Sequence, residues 1–179
     1  MGQSRPRNKG VGVALAPSEW ARRFAPQVVA GGNVLDVACG GGRHGRLFLS
    51  SGHPVCFLDR DLSGVDDLRG TAGAELVQAD IEAGPWPLAG RMVDAVVATN
   101  YLWRPLFPQL LASLKPGALL IYETFMIGNE RFGKPSNPDF LLRRDELFEL
   151  CKSSCDIRAF EQGEEANSVR QRICAVKTA

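Results

Sequence analysis

The stretch Val34–Gly45 reads Val-Leu-Asp-Val-Ala-Cys-Gly-Gly-Gly-Arg-His-Gly, and it decides the fold. Its first residues are small or branched and apolar, which is typical of a strand that is covered on both faces of a parallel sheet. Asp36 interrupts this apolar run, and burying its carboxylate without a partner would be costly. The glycines Gly40–Gly42 then allow the backbone to turn tightly against a ligand. The stretch therefore predicts a nucleotide-type binding turn between a strand and a helix whose first amides face the same ligand.

Two cofactors fit this turn. The spacing Gly40-x-Gly42-x-x-Gly45 matches the dinucleotide fingerprint, and Asp59 lies near the offset expected for a ribose-binding acid. This interpretation predicts a nicotinamide-dependent oxidoreductase, although a dinucleotide site needs no acid ahead of its glycines. S-adenosylmethionine carries an ammonium and a sulfonium group, so an acid such as Asp36 would have a charge to meet. We therefore favour S-adenosylmethionine.

The acid-led loop Asp36–Gly42, with the spacing Asp-x-Ala-x-Gly-x-Gly, resembles the first motif of class I S-adenosylmethionine-dependent methyltransferases. Phe57–Asp59 resembles the second strand of that family with its ribose-binding acid, and Gln78–Ile81 resembles the third strand with its adenine-binding acid. Leu114–Leu120 resembles the turn into the fifth strand. Four motifs in order between Val34 and Phe125 are far more specific than a glycine pattern alone.

The resemblance implies S-adenosylmethionine as the cofactor, S-adenosylhomocysteine as its product, and a set of residues that bind them. Ala38 stands where many members of the family have glycine, so the loop must hold a backbone angle that alanine tolerates. Cys39 is better explained as a small packing residue than as a nucleophile. The cofactor-binding residues that the resemblance implies are Asp36, Ala38, Cys39, Gly40, Gly42, Arg43, Asp59, Arg60, Asp80, Ile81 and Asn100.

The methyl acceptor is expected beyond the ends of the fourth and fifth strands, where Tyr101 and Glu123 are the candidate catalytic residues. Glu123 is the best candidate for a general base, because burial beside Tyr122 and Phe125 would raise its pKa. It could equally serve as a hydrogen-bond anchor. The stretch Asn100–Trp103 lacks the prolines of the Asn-Pro-Pro-Tyr motif, which argues against a nucleic-acid base or an amide as the acceptor.

The alternation of strands and helices predicts an α/β fold, with a Rossmann-like doubly wound sheet that is mostly parallel and closes with an antiparallel C-terminal strand. Residues 16–179 are expected to form one methyltransferase domain, and the basic residues of 1–15 a disordered arm. We expect the loop Met126–Phe140 to close over the acceptor.

The predicted strands are Val34–Ala38, Val55–Asp59, Glu75–Ala79, Val93–Thr99, Ala118–Phe125, Cys155–Phe160 and Ser168–Lys177. The predicted helices are one from Ser18, Arg43–Ser51, a weak one at Leu62–Thr71, one from Pro105, and Leu141–Cys151.

Composition narrows the class of protein further. A net charge of +1 gives the chain no electrostatic attraction to nucleic acid or to an anionic membrane. No apolar run approaches the about 20 residues that a membrane-spanning helix needs. The five cysteines fit reduced thiols and hence the cytoplasm, and their spacing from the two histidines argues against a metal site.

Among methyltransferases, the chain looks most like the compact bacterial group that includes the tellurite-resistance and thiopurine-type enzymes. The likeness rests on the Asp-x-Ala-Cys-Gly loop, on the Gly42-Arg43 pair and on the absence of an added domain. It implies a cytoplasmic methyltransferase with a small-molecule acceptor and leaves the oligomeric state open. The alternatives are methylation of a protein or RNA with the help of a partner subunit, and an S-adenosylmethionine-binding protein without enzymatic activity.

Overall fold

The computed structural model describes residues 16–179, so the predicted basic arm, residues 1–15, lies outside the described residues. Seven strands form one sheet: β1 (Val34–Val37), β2 (Val55–Asp59), β3 (Ala74–Gln78), β4 (Val93–Thr99), β5 (Leu114–Phe125), β6 (Cys155–Glu164) and β7 (Val169–Lys177). The α-helices are α1 (Glu19–Phe24), α2 (Arg43–Ser50), α3 (Phe107–Ala112) and α4 (Glu146–Cys151). Short 3₁₀ helices cover Ala25–Gln27, Ser63–Leu68, Arg104–Leu106, Asn129–Arg131 and Pro138–Phe140.

The strands lie in the order β3-β2-β1-β4-β5-β7-β6, and the first five run parallel to one another. β7 is inserted between β5 and β6 and runs antiparallel to both. This arrangement confirms the predicted Rossmann-like fold with its antiparallel C-terminal strand. It also brings the carboxyl ends of the parallel strands to one edge of the sheet, where ligands of open α/β sheets bind.

Two apolar layers cover the sheet, and successive residues of β1 contribute to opposite layers. Leu35 packs into the layer that holds α3 and α4. Val34 packs into the layer that holds α1 and α2. All four residues of β1 are buried, as the continuous apolar pattern predicted for a strand covered on both faces.

Some boundaries differ from the prediction for local reasons. The weak helix predicted at Leu62–Thr71 is only a 3₁₀ helix, and Gly64 packs so closely there that an added Cβ would lie 2.7 Å from the Gly40 carbonyl oxygen. α4 begins at Glu146 rather than at Leu141, because the Leu142 amide bonds to the Phe125 carbonyl and keeps that stretch extended.

Two strand boundaries also differ from the prediction. β5 begins at Leu114, a residue predicted to continue the preceding helix, and its pairing with Val93 explains the change. β6 continues to Glu164, because its ladder with β7 extends to the pair Glu164 and Val169. The predicted loop Gly163–Asn167 is therefore a tighter turn.

The glycine spacing of the first loop serves helix packing as well as turning. An added Cβ on Gly45 would lie 2.2 Å from Cε1 of Phe57, and one on Gly42 would lie 2.5 Å from Cγ1 of Val65. Both distances are shorter than carbon atoms can approach without displacement. α2 can therefore lie close against β2 only if these positions lack a side chain.

We expect Gly45→Ala to lower the free energy of unfolding by about 1–3 kcal/mol, the usual cost of overpacking a well-packed core. Gly41→Ala is the matched control, because an added Cβ there meets no atom within 4 Å. Urea unfolding of both variants measures the difference. Equal destabilisation by the two substitutions would show that helix–strand contact does not explain the spacing.

Candidate functional site

The loop after β1 is built around a buried acid. Asp36 is 2% exposed, and its Oδ2 accepts a hydrogen bond of 2.7 Å from the Gly45 amide. Burial raises the pKa of Asp36 to about 7, and the Gly45 bond opposes part of that increase. The partner that the sequence required for this carboxylate is thus a backbone amide of α2. Its contact with the charges of a cofactor stays a prediction.

The same loop uses the left-handed backbone region repeatedly. Ala38, Gly40 and Gly42 have φ angles of 51°, 53° and 69°. Ala38 therefore adopts a conformation that favours glycine, as its place in the motif implied. Cys39 is buried and packs among apolar side chains, as expected, and burial raises the pKa of its thiol.

A cavity of about 400 Å³ opens beside this loop, and we call it the cofactor cleft. Six of the predicted site residues meet here from the ends of four strands: Ala38, Asp59, Arg60, Asp80, Ile81 and Tyr101. The other predicted residues lie outside its lining: Asp36, Cys39, Gly40, Gly42, Arg43, Asn100 and Glu123. Three residues that were not predicted complete the lining: Ala79, Glu82 and Phe140.

Backbone amides orient the two aspartates of the cleft. Asp59 accepts hydrogen bonds from the Gly40 amide at 2.8 Å and from the Asp61 amide at 3.0 Å, one on each oxygen. Asp80 accepts from the amides of Glu82 and Ala83, at 3.0 and 3.1 Å, through Oδ1 only. Because each carboxylate oxygen has two lone pairs, both acids keep acceptor capacity for a ligand.

Tyr101 carries a hydroxyl, a polar group in the wall of the cofactor cleft that can bond to a ligand. Its side chain lines the cofactor cleft, and its buried hydroxyl has no hydrogen-bond partner among residues 16–179. Burial, followed by the charge of Glu82, raises the pKa of this hydroxyl. Since buried polar groups are nearly always satisfied, a bound molecule is the expected partner.

Phe140 reaches the cleft because Arg104 holds the segment around it. The Arg104 guanidinium donates to the carbonyls of Asp139 and Leu141, at 2.8 and 2.9 Å, and pairs with the buried Glu146 at 2.6 Å. No local sequence signal marks these long-range contacts. Glu82 could have been found from the sequence, because it follows the adenine-motif acid by two residues.

The loop that was expected to close over the acceptor is tied to the sheet at its first turn. Asn129 is 2% exposed, donates to the Pro135 carbonyl at 3.1 Å and accepts from the Val169 amide at 3.1 Å. These contacts hold the first half of the loop in place. Closure over an acceptor stays a prediction.

Glu123 and Asn100 lie together at the ends of β5 and β4. Glu123 is 3% exposed, and its Oε2 accepts from Nε of Arg172 at 2.9 Å. Asn100 is left-handed, with φ 56°, and its Oδ1 accepts from Arg170 at 2.7 Å. Glu123 forms an ion pair with Arg172 across β5 and β7, so it has the contacts of an anchor. Its role as a base remains a prediction.

His44 joins α1 to this end of the sheet. Its Nε2 accepts from the Ser18 amide at 3.2 Å, and its Nδ1 lies 3.1 Å from Oγ1 of Thr99. Burial, aided by the charge of Arg43, lowers the pKa of His44 to about 4, so the ring is neutral and able to accept. His44 was not predicted as a site residue, although it directly follows Arg43 of the motif.

Residues 16–179 contain neither a membrane-spanning helix nor a cluster of metal ligands. None of the helices there combines the length and apolarity that crossing a membrane requires. The side chains of these residues also form no group of three or more His, Cys, Asp or Glu placed to hold a metal ion.

Comparison with known proteins gives one family match. Residues 34–117 match the family described as a methyltransferase domain. The matched range contains the first loop, both aspartates of the cleft and the turn into β5. A search of curated protein sequences found no match.

Solved structures give further matches at low sequence identity. TehB from Haemophilus influenzae is 17% identical with a TM-score of 0.69, over 87% of this chain and 61% of that chain. The present chain thus spans about three-fifths of the length of that TehB. The glycopeptide N-methyltransferase MtfA is 22% identical with a TM-score of 0.60, over 88% of each chain. A 1,6-didemethyltoxoflavin-N1-methyltransferase from Burkholderia thailandensis is 17% identical with a TM-score of 0.63, over 90% and 79%.

The topology, the acid-led loop and the family match agree. Residues 34–117 match a methyltransferase domain, and the described chain shares its fold with TehB. The similar structure MtfA has been solved with S-adenosylhomocysteine and with sinefungin, which is consistent with S-adenosylmethionine as the cofactor. The match of residues 34–117 to a methyltransferase domain favours S-adenosylmethionine over the nicotinamide-dependent alternative.

The pKa of Asp36 predicts how stability depends on pH. Between about pH 4 and pH 7 the folded protein holds a proton on Asp36 that the unfolded chain, with the ordinary pKa of 3.8, has already released. Its contribution to the free energy of unfolding therefore falls as the pH rises through this window and is constant above it.

Asp36→Asn keeps an oxygen for the Gly45 amide but does not titrate. We expect this variant to gain stability relative to the unsubstituted protein from pH 4 to pH 7, measured by urea unfolding without cofactor. A difference that stays constant with pH would contradict the assignment.

Proposed function

We propose that this protein transfers the methyl group of S-adenosylmethionine to a small-molecule acceptor. The observation that carries the proposal is the cofactor cleft, which combines two oriented acids with a buried hydroxyl that needs a partner. Two of the similar structures are named as methyltransferases of a glycopeptide and of 1,6-didemethyltoxoflavin, and both have been solved with S-adenosylhomocysteine. The family resemblance and these names support a small acceptor here.

The residues of the cleft suit the parts of the cofactor. Asp59 keeps lone pairs on both oxygens and can accept the two ribose hydroxyls. Asp80 has a free Oδ2 for the exocyclic amine of adenine, with Ile81 beside it offering a backbone amide and an apolar surface. Arg60 and Ala38 complete this side of the lining.

The remaining predicted residues are assigned to the methionine end of the cofactor. Asp36 lies beneath the loop, where its carboxylate can stabilise positive charge above it. The backbone of Cys39, Gly40 and Gly42 forms that loop, and Arg43 and Asn100 border it at the start of α2 and the end of β4.

When bound, S-adenosylmethionine supplies an electrophilic methyl group attached to a sulfonium. The protein has to position the acceptor in line with this methyl group and to exclude water from it. We assign the exclusion of water to Phe140 at the mouth of the cleft, and the positioning to Tyr101 and Glu123 at the ends of β4 and β5. Glu123 would take a proton where the acceptor must lose one.

The other functions are weaker proposals. A net charge of +1 offers no general attraction to RNA, so an RNA acceptor would depend on a partner subunit. A binding protein without activity would share the cofactor cleft but would not require a site for an acceptor beside it. We place the enzyme in the cytoplasm, because its five cysteines are all free thiols.

We expect Asp59→Ala to weaken the binding of S-adenosylhomocysteine by about 1.5–3 kcal/mol, the range for hydrogen bonds to a charged group. Asp66→Ala is the control, since Asp66 is an exposed acid nearby that pairs with Arg69 and lies outside the lining of the cleft. Isothermal titration calorimetry on folded protein measures both affinities. Unchanged binding by Asp59→Ala, or failure of the unsubstituted protein to bind S-adenosylhomocysteine, would refute the proposed site.

A further inference from the structure

Phe140 is a large apolar side chain in the wall of the cofactor cleft, and it is 46% exposed. A single exposed phenylalanine is ordinary on a protein surface. Phe140 differs from that ordinary case because the chain on both sides of it is fixed, while its side chain lines an open cavity of about 400 Å³. An apolar ring held in such a wall suits a ligand that has an apolar face.

Local hydrogen bonds fix the turn that carries Phe140. Oδ1 of Asn137 accepts from the Asp139 amide at 3.0 Å and so caps the 3₁₀ helix Pro138–Phe140. The Phe140 amide donates to the Asn137 carbonyl at 3.0 Å. The next residue, Leu141, is 1% exposed, so the chain is buried immediately after the turn. The turn is therefore held in place before any ligand binds.

Arg104 connects this turn to two other elements. Its guanidinium reaches the carbonyls of Asp139 and Leu141, which lie on either side of Phe140. The same group binds both carboxylate oxygens of Glu146, at 2.6 and 2.9 Å. Glu146 begins α4 and is 8% exposed, whereas Arg104 follows β4. Because a guanidinium is planar and its donors have fixed directions, these four contacts set the position of the Phe140 backbone.

The neighbours of Phe140 in the lining belong mainly to one end of the cofactor. Asp59 is the proposed ribose acid, and Asp80 is the proposed adenine acid. Of the two candidate catalytic residues, Tyr101 reaches this cleft and Glu123 does not line it. Phe140 therefore lies with the residues assigned to adenosine, although the loop that ends there was expected to close over the acceptor.

We propose that Phe140 packs against the adenine ring of the bound cofactor and that Arg104 is the residue that positions it. This inference rests on the proposed function. Adenine has two flat faces, and its stacking on an aromatic ring needs no hydrogen bonds. An aromatic side chain on a fixed backbone loses little freedom when the ligand arrives, which favours binding. Arg104 does not line the cleft, so it acts on the cofactor through Phe140.

The contact is tested with S-adenosylhomocysteine and with 5′-methylthioadenosine, which lacks the amino-acid part, by isothermal titration calorimetry. We expect Phe140→Ala to weaken both ligands by the same factor, about tenfold, because both carry the adenine that the ring covers. Phe140→Tyr keeps the aromatic face and should bind nearly as the unsubstituted protein does. Phe132→Ala is the matched control, since Phe132 is 40% exposed in the same loop and does not line the cleft.

Three results would overturn the contact. They are an unchanged affinity in Phe140→Ala, a loss that is confined to S-adenosylhomocysteine, and an equal loss in Phe132→Ala. Failure of the unsubstituted protein to bind either ligand would instead refute the proposed function.

Arg104→Lys tests the positioning role. Lysine keeps a positive charge beside the buried Glu146 but cannot span that carboxylate and both carbonyls at once. We expect this variant, confirmed as folded by circular dichroism, to bind both ligands severalfold more weakly. The double variant Arg104→Lys, Phe140→Ala should bind no more weakly than Phe140→Ala alone, because Arg104 acts through the ring.

Arg131→Lys is the control for a lost guanidinium in the same loop, since Arg131 pairs with Glu164 and does not line the cleft. It should bind both ligands as the unsubstituted protein does. Full affinity in Arg104→Lys, additive losses in the double variant, or an equal loss in Arg131→Lys would overturn the positioning role.

Discussion

The hydrogen bond from the Gly45 amide to the buried carboxylate of Asp36 is the interaction on which the cofactor half of the protein depends. It joins the middle of β1 to the first turn of α2 and so fixes the length and path of the loop between them. That path brings the Gly40 amide into hydrogen-bond contact with the carboxylate of Asp59, at the end of β2. Burial of this carboxylate has an electrostatic cost, because it raises the pKa of Asp36 to about 7. The hydrogen bond from Gly45 offsets part of that cost and holds the loop in place.

The sequence predicted this half well, because its signals are local. Asp59 and Asp80 directly follow apolar strands, and parallel strands bring their carboxyl ends to one edge of a sheet. Their place in the lining therefore follows from chain order alone. Gly45 was noted only as part of the dinucleotide fingerprint, and its contact with Phe57 shows that packing of α2 requires the glycine. Phe140 was expected only as the last residue of the loop Met126–Phe140, because the Arg104 contacts that bring it to the cleft span more than thirty positions in sequence.

The other half of the site was predicted less completely, because it depends on antiparallel pairing. The alternation of apolar and polar residues in β7 indicated a strand but not its register against β5. That register places Arg172 directly opposite Glu123, and so decides that the acid has a cationic partner. From the sequence, burial among Tyr122 and Phe125 was the only foreseeable influence on this carboxylate. The same register places the Ile173 carbonyl within reach of Trp20 and thereby seats α1.

The insertion of β7 between β5 and β6 sets an order for assembly during synthesis on the ribosome. The cofactor cleft is lined wholly by residues from Ala38 to Phe140, whereas a second cavity, between α1 and the sheet, also needs Glu161, Glu165 and Arg172. β6 has no neighbour in the sheet except β7, so it cannot join before β7 has been made. The residues that line the cofactor cleft can therefore come together before β6 and β7 have been synthesised. The cavity that Glu123 and Arg172 line together with α1 forms only when the strand Val169–Lys177 closes the sheet.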